Sequence, residues 1–300
     1  MERIVRRQTT RREGRDKGLA TQIPASAPMQ PPPAAEERAR ERTRRARLRV
    51  HTKFHSRFLP DDRDVTVYLP PGYEEETNRR YPVLVMHDGQ NLFDPRTSFV
   101  QGRTWRMAET ADAAIAAGEI EPLVIVGVAN TGERRMAEYT PTRDWKMGGG
   151  EAAQYGELLT EELLPFLRTN YRLMYGPEHT GLGGSSLGGL ATLYLGLKYP
   201  ELFGRLAVHS PSVWWHHKSI VGLVNEMAPL VPLRARIWLD AGDAEAKKMI
   251  ADTDLLYRRL LAHGWRDGAD LHYERVAGGT HDEAAWALRV MPMLRFLFPA

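Results

Sequence analysis

The sequence contains no cysteine. Disulfides, thiolate metal sites and a cysteine nucleophile are therefore excluded, a composition that fits a reducing compartment. It also lacks any apolar run of about 18 residues that could span a bilayer, and no apolar stretch of the secretory kind follows its basic N-terminus. The expectation is a cytoplasmic protein with no membrane span. There is no internal repeat. Adjacent His216 and His217 have no carboxylate partner at a suggestive separation, so neither a metal nor a cofactor is expected.

Positive charge is scarce where the chain can fold. The formal net charge is +3, but residues 1–50 hold 14 Lys/Arg against 6 Asp/Glu, which leaves 27 against 32 for residues 51–300. The folded part is thus mildly acidic and shows no basic face of the kind nucleic-acid binding needs. Residues 1–46 are Arg-rich, almost free of aromatics and interrupted by Pro31-Pro32-Pro33, and they cannot bury enough apolar surface to fold alone. They read as a mobile basic tail, with mixed charges over Glu36 to Arg49 compatible with a short exposed helix. Residues 47–300, in a chain with 42% hydrophobic and 26% charged residues, are enough for one domain with a well-buried core.

What is present in that domain alternates. Asp64–Leu69, Tyr81–His87, Leu123–Val128, His179–Gly183, Arg205–His209, Ala235–Asp240 and Asp270–Arg275 read as strands. Trp105–Ala117, Glu151–Asn170 with a bend at Pro165, Leu190–Leu197, Met249–His263 and Glu283–Phe298 read as helices, with Trp214 and Trp215 in a connector. Such alternation predicts an α/β domain with a mainly parallel central sheet and helices on both faces. A (β/α)₈ barrel competes, but the early strands look hairpin-connected.

Between a short strand pattern and an uninterrupted helix lies Gly183-Gly184-Ser185-Ser186-Leu187-Gly188-Gly189. Only the frame Gly184-Ser185-Ser186-Leu187-Gly188 fits G-x-S-x-G, which makes Ser186 the nucleophile candidate at a strand-to-helix elbow. A glycine-serine linker is the bland alternative, and the strand before and helix after it argue against that. A serine hydroxyl needs a base oriented by an acid, and with this elbow the chain order is serine, acid, histidine. His281, in the turn Gly278-Gly279-Thr280-His281-Asp282, is the base candidate. The acid should follow the strand ending at Asp240, where Asp240, Asp243 and Glu245 compete and spacing does not separate them. The oxyanion would rest on the backbone amides of Leu187 and of Gln90, in the turn after Tyr81–His87. His87 and Asp88 precede that turn and are assigned structural roles.

These pieces together resemble the putative esterase family of α/β-hydrolases, which includes enterochelin esterases, feruloyl esterases and mycolyltransferases. The resemblance is carried by Val67-Tyr68-Leu69-Pro70-Pro71-Gly72-Tyr73, Tyr81-Pro82-Val83-Leu84 running into His87-Asp88-Gly89-Gln90-Asn91-Leu92-Phe93-Asp94, Arg135-Met136-Ala137-Glu138-Tyr139-Thr140-Pro141, the elbow, Ser210-Pro211-Ser212-Val213-Trp214-Trp215 and Gly279-Thr280-His281. It implies a serine carboxylesterase working through an acyl-enzyme on a small-molecule or acylated ester, with Ser186 and His281 in the family's nucleophile and base positions. It also favours Glu245 as the acid, with Asp243 as runner-up, and Gln90 as the second oxyanion donor. Trp214, Trp215, Arg135 and Tyr139 are expected to line the substrate pocket. An acyltransferase using the same residues and a non-catalytic binding protein on a hydrolase scaffold are the alternatives.

Overall fold

Strands β3 (Val83–His87) and β4 (Val124–Val128) are buried at every position, because each packs both of its faces. Period-2 alternation divides their side chains between two cores: Val83 and Val85 face one, Leu84 and Met86 the other. These strands sit at the centre of an eight-stranded sheet, which this computed structural model describes, with its helices, over residues 34–231 and 234–300. The remaining strands are β1 (Leu48–Phe54), β2 (Arg63–Tyr68), β5 (Thr180–Ser185), β6 (Arg205–His209), β7 (Arg236–Gly242) and β8 (Leu271–Val276). Their order is β1-β2-β4-β3-β5-β6-β7-β8. β1 and β2 pair antiparallel and join β4 antiparallel, while β3 to β8 all run parallel. The sheet is therefore open and mixed, and the barrel alternative does not occur.

The chain divides into two units, Met1–Ala39 and Arg40–Ala300. The basic-tail reading of residues 1–33 lies outside the described residues; helix α1 (Ala34–Ala46) realises the short helix expected from mixed charge. Within the larger unit, α2 (Met107–Ala116) and α9 (Glu283–Leu297) cover one face of the sheet around Leu84, Met86, Trp238 and Met293. The other face is covered by α4 (Ala152–Glu157), α5 (Leu164–Asn170), α6 (Leu187–Lys198), α7 (Trp215–Met227) and α8 (Lys247–Ala262), around Val85, Leu182, Leu193, Val208 and Leu239. Full burial of each such aliphatic side chain contributes about 1.5–3 kcal/mol.

Two local departures have physical causes. The expected bend near Pro165 is a π-helical stretch, Leu158–Leu163, joining α4 to α5. Proline lacks the amide and its ring clashes with the carbonyl four residues back, and the wider turn admits it. The Trp214–Trp215 connector runs into a left-handed turn, with φ of 39°, 55° and 66° at His216, His217 and Lys218, and the right-handed helical part of α7 follows that turn.

The reversal of strand order around β3 places the turns after β3 and β5 side by side at the carboxyl edge of the sheet, the usual ligand position in open α/β folds. A short helix, α3 (Arg135–Glu138), hangs over this edge. It is tied to β2 by the ion pair Arg63–Glu138, with Nη1–Oε2 2.9 Å and Nη2–Oε1 3.1 Å and both side chains fully buried. Removing one member of such a pair strands the other charge in a low-dielectric site. Arg63→Ala should therefore lower unfolding stability by about 3–5 kcal/mol, read from the urea midpoint. A loss below about 1 kcal/mol would show that α3 is held by other contacts.

Candidate active site

Ser186 follows the last residue of β5 and caps α6 with φ 59° and ψ −120°, a region L-residues rarely enter. The turn is held by neighbours: Ser186 N–H donates to His209 O at 3.0 Å and Ser212 N–H donates to Ser186 O at 2.9 Å. Gly184 and Gly189 are required by close approach, since a Cβ would meet Gly188 C at 3.0 Å in the first case and His209 O at 2.8 Å in the second. The Ser186 hydroxyl points outward and hydrogen-bonds Ser212 Oγ at 3.2 Å.

Ser186 and His281 line one cavity of about 270 Å³, together with Asp88, Asn91, Asn130, Arg135, Phe99 and Trp286. Among the described residues no hydrogen bond joins Ser186 to His281. His281 Nδ1 instead donates to Glu245 Oε2 at 3.2 Å, which leaves Nε2 as its free ring nitrogen. The ring packs edge-on to Trp286, with centroids 5.0 Å apart. Glu245 has a fully buried side chain, and its Oε1 accepts from Ser210 Oγ (2.5 Å) and Gly242 N–H (2.9 Å). Burial alone would raise its pKa, but the hydrogen bonds from His281, Ser210 and Gly242 outweigh that and hold it below the ordinary value.

The other two acid candidates go elsewhere. Asp243 is exposed and accepts from Gly278 N–H at 2.6 Å. Asp240 is buried in β7, paired with His209 Nδ1 at 2.5 Å and Arg289 Nη1 at 2.7 Å. Its burial opposes ionisation, but its contacts with His209, Arg289 and Trp238 hold its pKa down.

The substrate-pocket expectations divide. Arg135 lines the cavity, gripped by Asp88 through Nε–Oδ1 and Nη2–Oδ2 contacts of 2.7 Å each. This carboxylate outweighs the cost of burial and keeps the guanidinium firmly protonated. Tyr139 is fully buried below it rather than in the cavity: its ring lies 5.2 Å from the Arg135 guanidinium and its hydroxyl accepts from Asp88 N–H at 3.1 Å. Trp215 is a correction. It is fully buried, with Nε1 donating to Thr142 O at 2.9 Å and its ring filling the space above Gly149. Trp214 packs beside it, partly buried on the core, and does not line the cavity. Gln90 lies in the turn after β3, but its side chain faces a neighbouring cavity and accepts from Asn130 N–H at 3.2 Å, so what it can offer Ser186 is its backbone N–H. Leu187, the other expected donor, is the first residue of α6, where an amide has no intrahelical partner.

Sequence reasoning missed Asn91, Glu283, Ser212, Ser210 and Arg289. Asn91 accepts from Phe99 N–H at 2.9 Å and so pins the loop that forms one cavity wall. The Ser210-Pro211-Ser212 run was a visible signal for two of them; Arg289 is hidden on the inner face of an ordinary amphipathic helix.

Comparison with known proteins follows this geometry. The family model described as "Putative esterase" matches residues 56–297. The chain belongs to that family, and the activity class is carboxylic-ester hydrolysis. It is 25% identical to the uncharacterized protein YbbA of Bacillus subtilis over 251 residues, covering 79% of this chain and 93% of that one. It is 28% identical to the iron(III) salmochelin esterase of Escherichia coli O6:H1 over 238 residues, covering 75% of this chain and 51% of that one. The chain thus spans about half the length of the siderophore esterase it matches. Its fold matches the crystal structure of the BES protein from Bacillus cereus with TM-score 0.69 and 21% identity, covering 85% and 96% of the two chains. An IroE-like serine hydrolase from Shewanella oneidensis matches with TM-score 0.69 and 20% identity, covering 84% and 80%.

His87, below the cavity, has no exposure to water to speak of and meets Tyr155 OH at 2.9 Å through Nδ1. Burial drops its pKa to about 4. The unfolded chain, with an ordinary imidazole, binds a proton below about pH 6.5, while the folded one waits until about pH 4. His87 therefore contributes stability above pH 6.5 that is lost as the pH falls toward 4, by about 3 kcal/mol in all. Chemical unfolding at pH 7 and pH 5 should show this slope, reduced by nearly one proton in His87→Gln; equal slopes would place the imidazole's titration elsewhere.

Proposed function

We propose that the protein hydrolyses small-molecule carboxylic esters through a Ser186–His281–Glu245 triad and an acyl-enzyme, within a catalytic domain of residues 47–300. The observation that carries this reading is the shared cavity of Ser186 and His281, with Glu245 behind the imidazole at 3.2 Å. Ser186 Oγ attacks the ester carbonyl while His281 Nε2 takes its proton. The resulting oxyanion is held by the backbone N–H groups of Leu187 and Gln90. The imidazolium, stabilised by Glu245, protonates the leaving alcohol, and water then repeats the sequence to free the acid. The bond between Ser186 and Ser212 must yield to one with His281, a rearrangement common between free and substrate-bound sites.

Arg135 gives the cavity a guanidinium whose orientation Asp88 fixes, a donor to an electron-rich oxygen near the scissile group, beside the carboxylates Asp88, Asp282 and Glu283. The names of the relatives, salmochelin and enterobactin esterases, point the same way, and we take siderophore-type esters as the substrate class to test first.

On nitrophenyl esters, Ser186→Ala should lower kcat/KM by about 10⁴-fold or more. Glu245→Ala should cost about 10²–10⁴-fold, whereas exposed Asp243→Ala should change the rate by no more than about twofold. Turnover retained by Ser186→Ala would remove the nucleophile assignment; the reverse ranking of the two acids would reassign the third member of the triad.

A further inference from the structure

Behind the acid lies a buried polar network that the hydrolytic reading does not use. Arg289, on the inner face of α9, is 2% exposed and reaches three elements at once. Its Nη1 donates to Asp240 Oδ1 at 2.7 Å and to Ser210 Oγ at 2.8 Å, and its Nη2 donates to Thr280 O at 3.2 Å and approaches Glu245 Oε1 at 3.5 Å. Ser210, at the end of β6, is 1% exposed and has φ 41°. Its oxygen also accepts from Trp286 Nε1 at 3.2 Å. With two donors filling its lone pairs, the hydroxyl has one group left to spend, its proton, and it points at Glu245 Oε1 at 2.5 Å. Oε1 is thereby occupied and Oε2 alone faces His281.

Two glycines lie beside this guanidinium. A Cβ on Gly242 would meet the Gly279 backbone first, its O at 2.0 Å and its C at 2.4 Å, with Arg289 Nη2 third at 2.8 Å; one on Gly279 would meet Arg289 Nη2 first, at 2.7 Å. Gly242 is thus small to let the acid loop and the histidine loop touch, and Gly279 leaves the room that the guanidinium takes between them.

We propose that Arg289 and Ser210 are positioning residues that fix the Glu245 carboxylate against His281, and that Gly279 is small in order to admit the Arg289 guanidinium. The inference rests on the triad reading above. Arg289 touches neither Ser186 nor the cavity, so its effect on turnover passes through Glu245.

The test is a double-mutant cycle on the full chain with nitrophenyl esters. Arg289→Met should lower kcat by about 10²-fold, and Ser210→Ala by about tenfold, with KM within about twofold of wild type in both, since uniform substrate binding is untouched. Arg289→Lys should recover part of the loss, as it keeps the charge without the fork. On a Glu245→Ala background either change should cost less than about threefold, because the group it positions is gone. Should Arg289→Met not fold, Ser210→Ala carries the same cycle, since it removes a single oxygen. Full multiplicative losses on the Glu245→Ala background, or unchanged kcat in both single variants while Ser186→Ala is inactive, would overturn the positioning role and leave the hydrolase reading standing. Turnover surviving in Ser186→Ala would overturn both.

Discussion

The strained backbone of Ser186 is the constraint on which the rest of the site depends. A φ of 59° with ψ −120° costs of the order of 1–3 kcal/mol in an L-residue, and it persists because the surrounding chain leaves no alternative. The end of β6 holds both sides of the turn, through His209 O on the amide and Ser212 N–H on the carbonyl. The parallel pairing of β5 with β6 therefore does two jobs. It forces the hydroxyl out of the sheet, and it sets Ser210 and Ser212 within reach of the acid and the nucleophile respectively.

Charge behind the site is arranged with similar economy. Asp240 and Glu245 are two carboxylates with fully buried side chains on either side of one guanidinium, that of Arg289. Desolvating three charges is expensive, and such clusters often stabilise a fold less than apolar packing would. Every carboxylate oxygen in the cluster has at least one donor, from His209, Trp238, Ser210, Gly242, His281 or Arg289. The cost is consistent with a cluster retained for geometry, because it joins β6, β7 and α9 behind a single imidazole.

How much of this was legible in the sequence follows from which forces are local. β3 and β4 announce themselves because burial on both faces demands unbroken apolar runs, and the elbow is legible because only glycine tolerates the close approaches on either side of Ser186. The acid was not legible from spacing. Asp243 and Glu245 differ by two residues in one loop, and what separates them is that Gly278 N–H takes the first while His281 takes the second, a long-range matter. Trp215 looked like a ligand contact because aromatic residues near a nucleophile often are; its indole is instead the packing partner of Gly149, 66 positions earlier in the chain. Start of α7 was hidden by three consecutive left-handed residues that no propensity scale anticipates.

The cation in the cavity is held by a similar chain of supports running into the core. Arg135 is long and flexible, and an unsupported guanidinium in a small cavity would sample several rotamers and offer a ligand little orientation. Here Asp88, itself in a left-handed conformation at the end of β3, takes two of its nitrogens, and the buried Tyr139 lies against it. The helix that carries it is locked in turn by Glu138 on Arg63. Asp88 also accepts from Asn130 Nδ2 at 2.7 Å, so both of its oxygens are held by neighbours. Asp88 lines the cavity beside Arg135, and because the supports of this ion pair reach β2 and β3, its placement is a property of the sheet rather than of a surface loop.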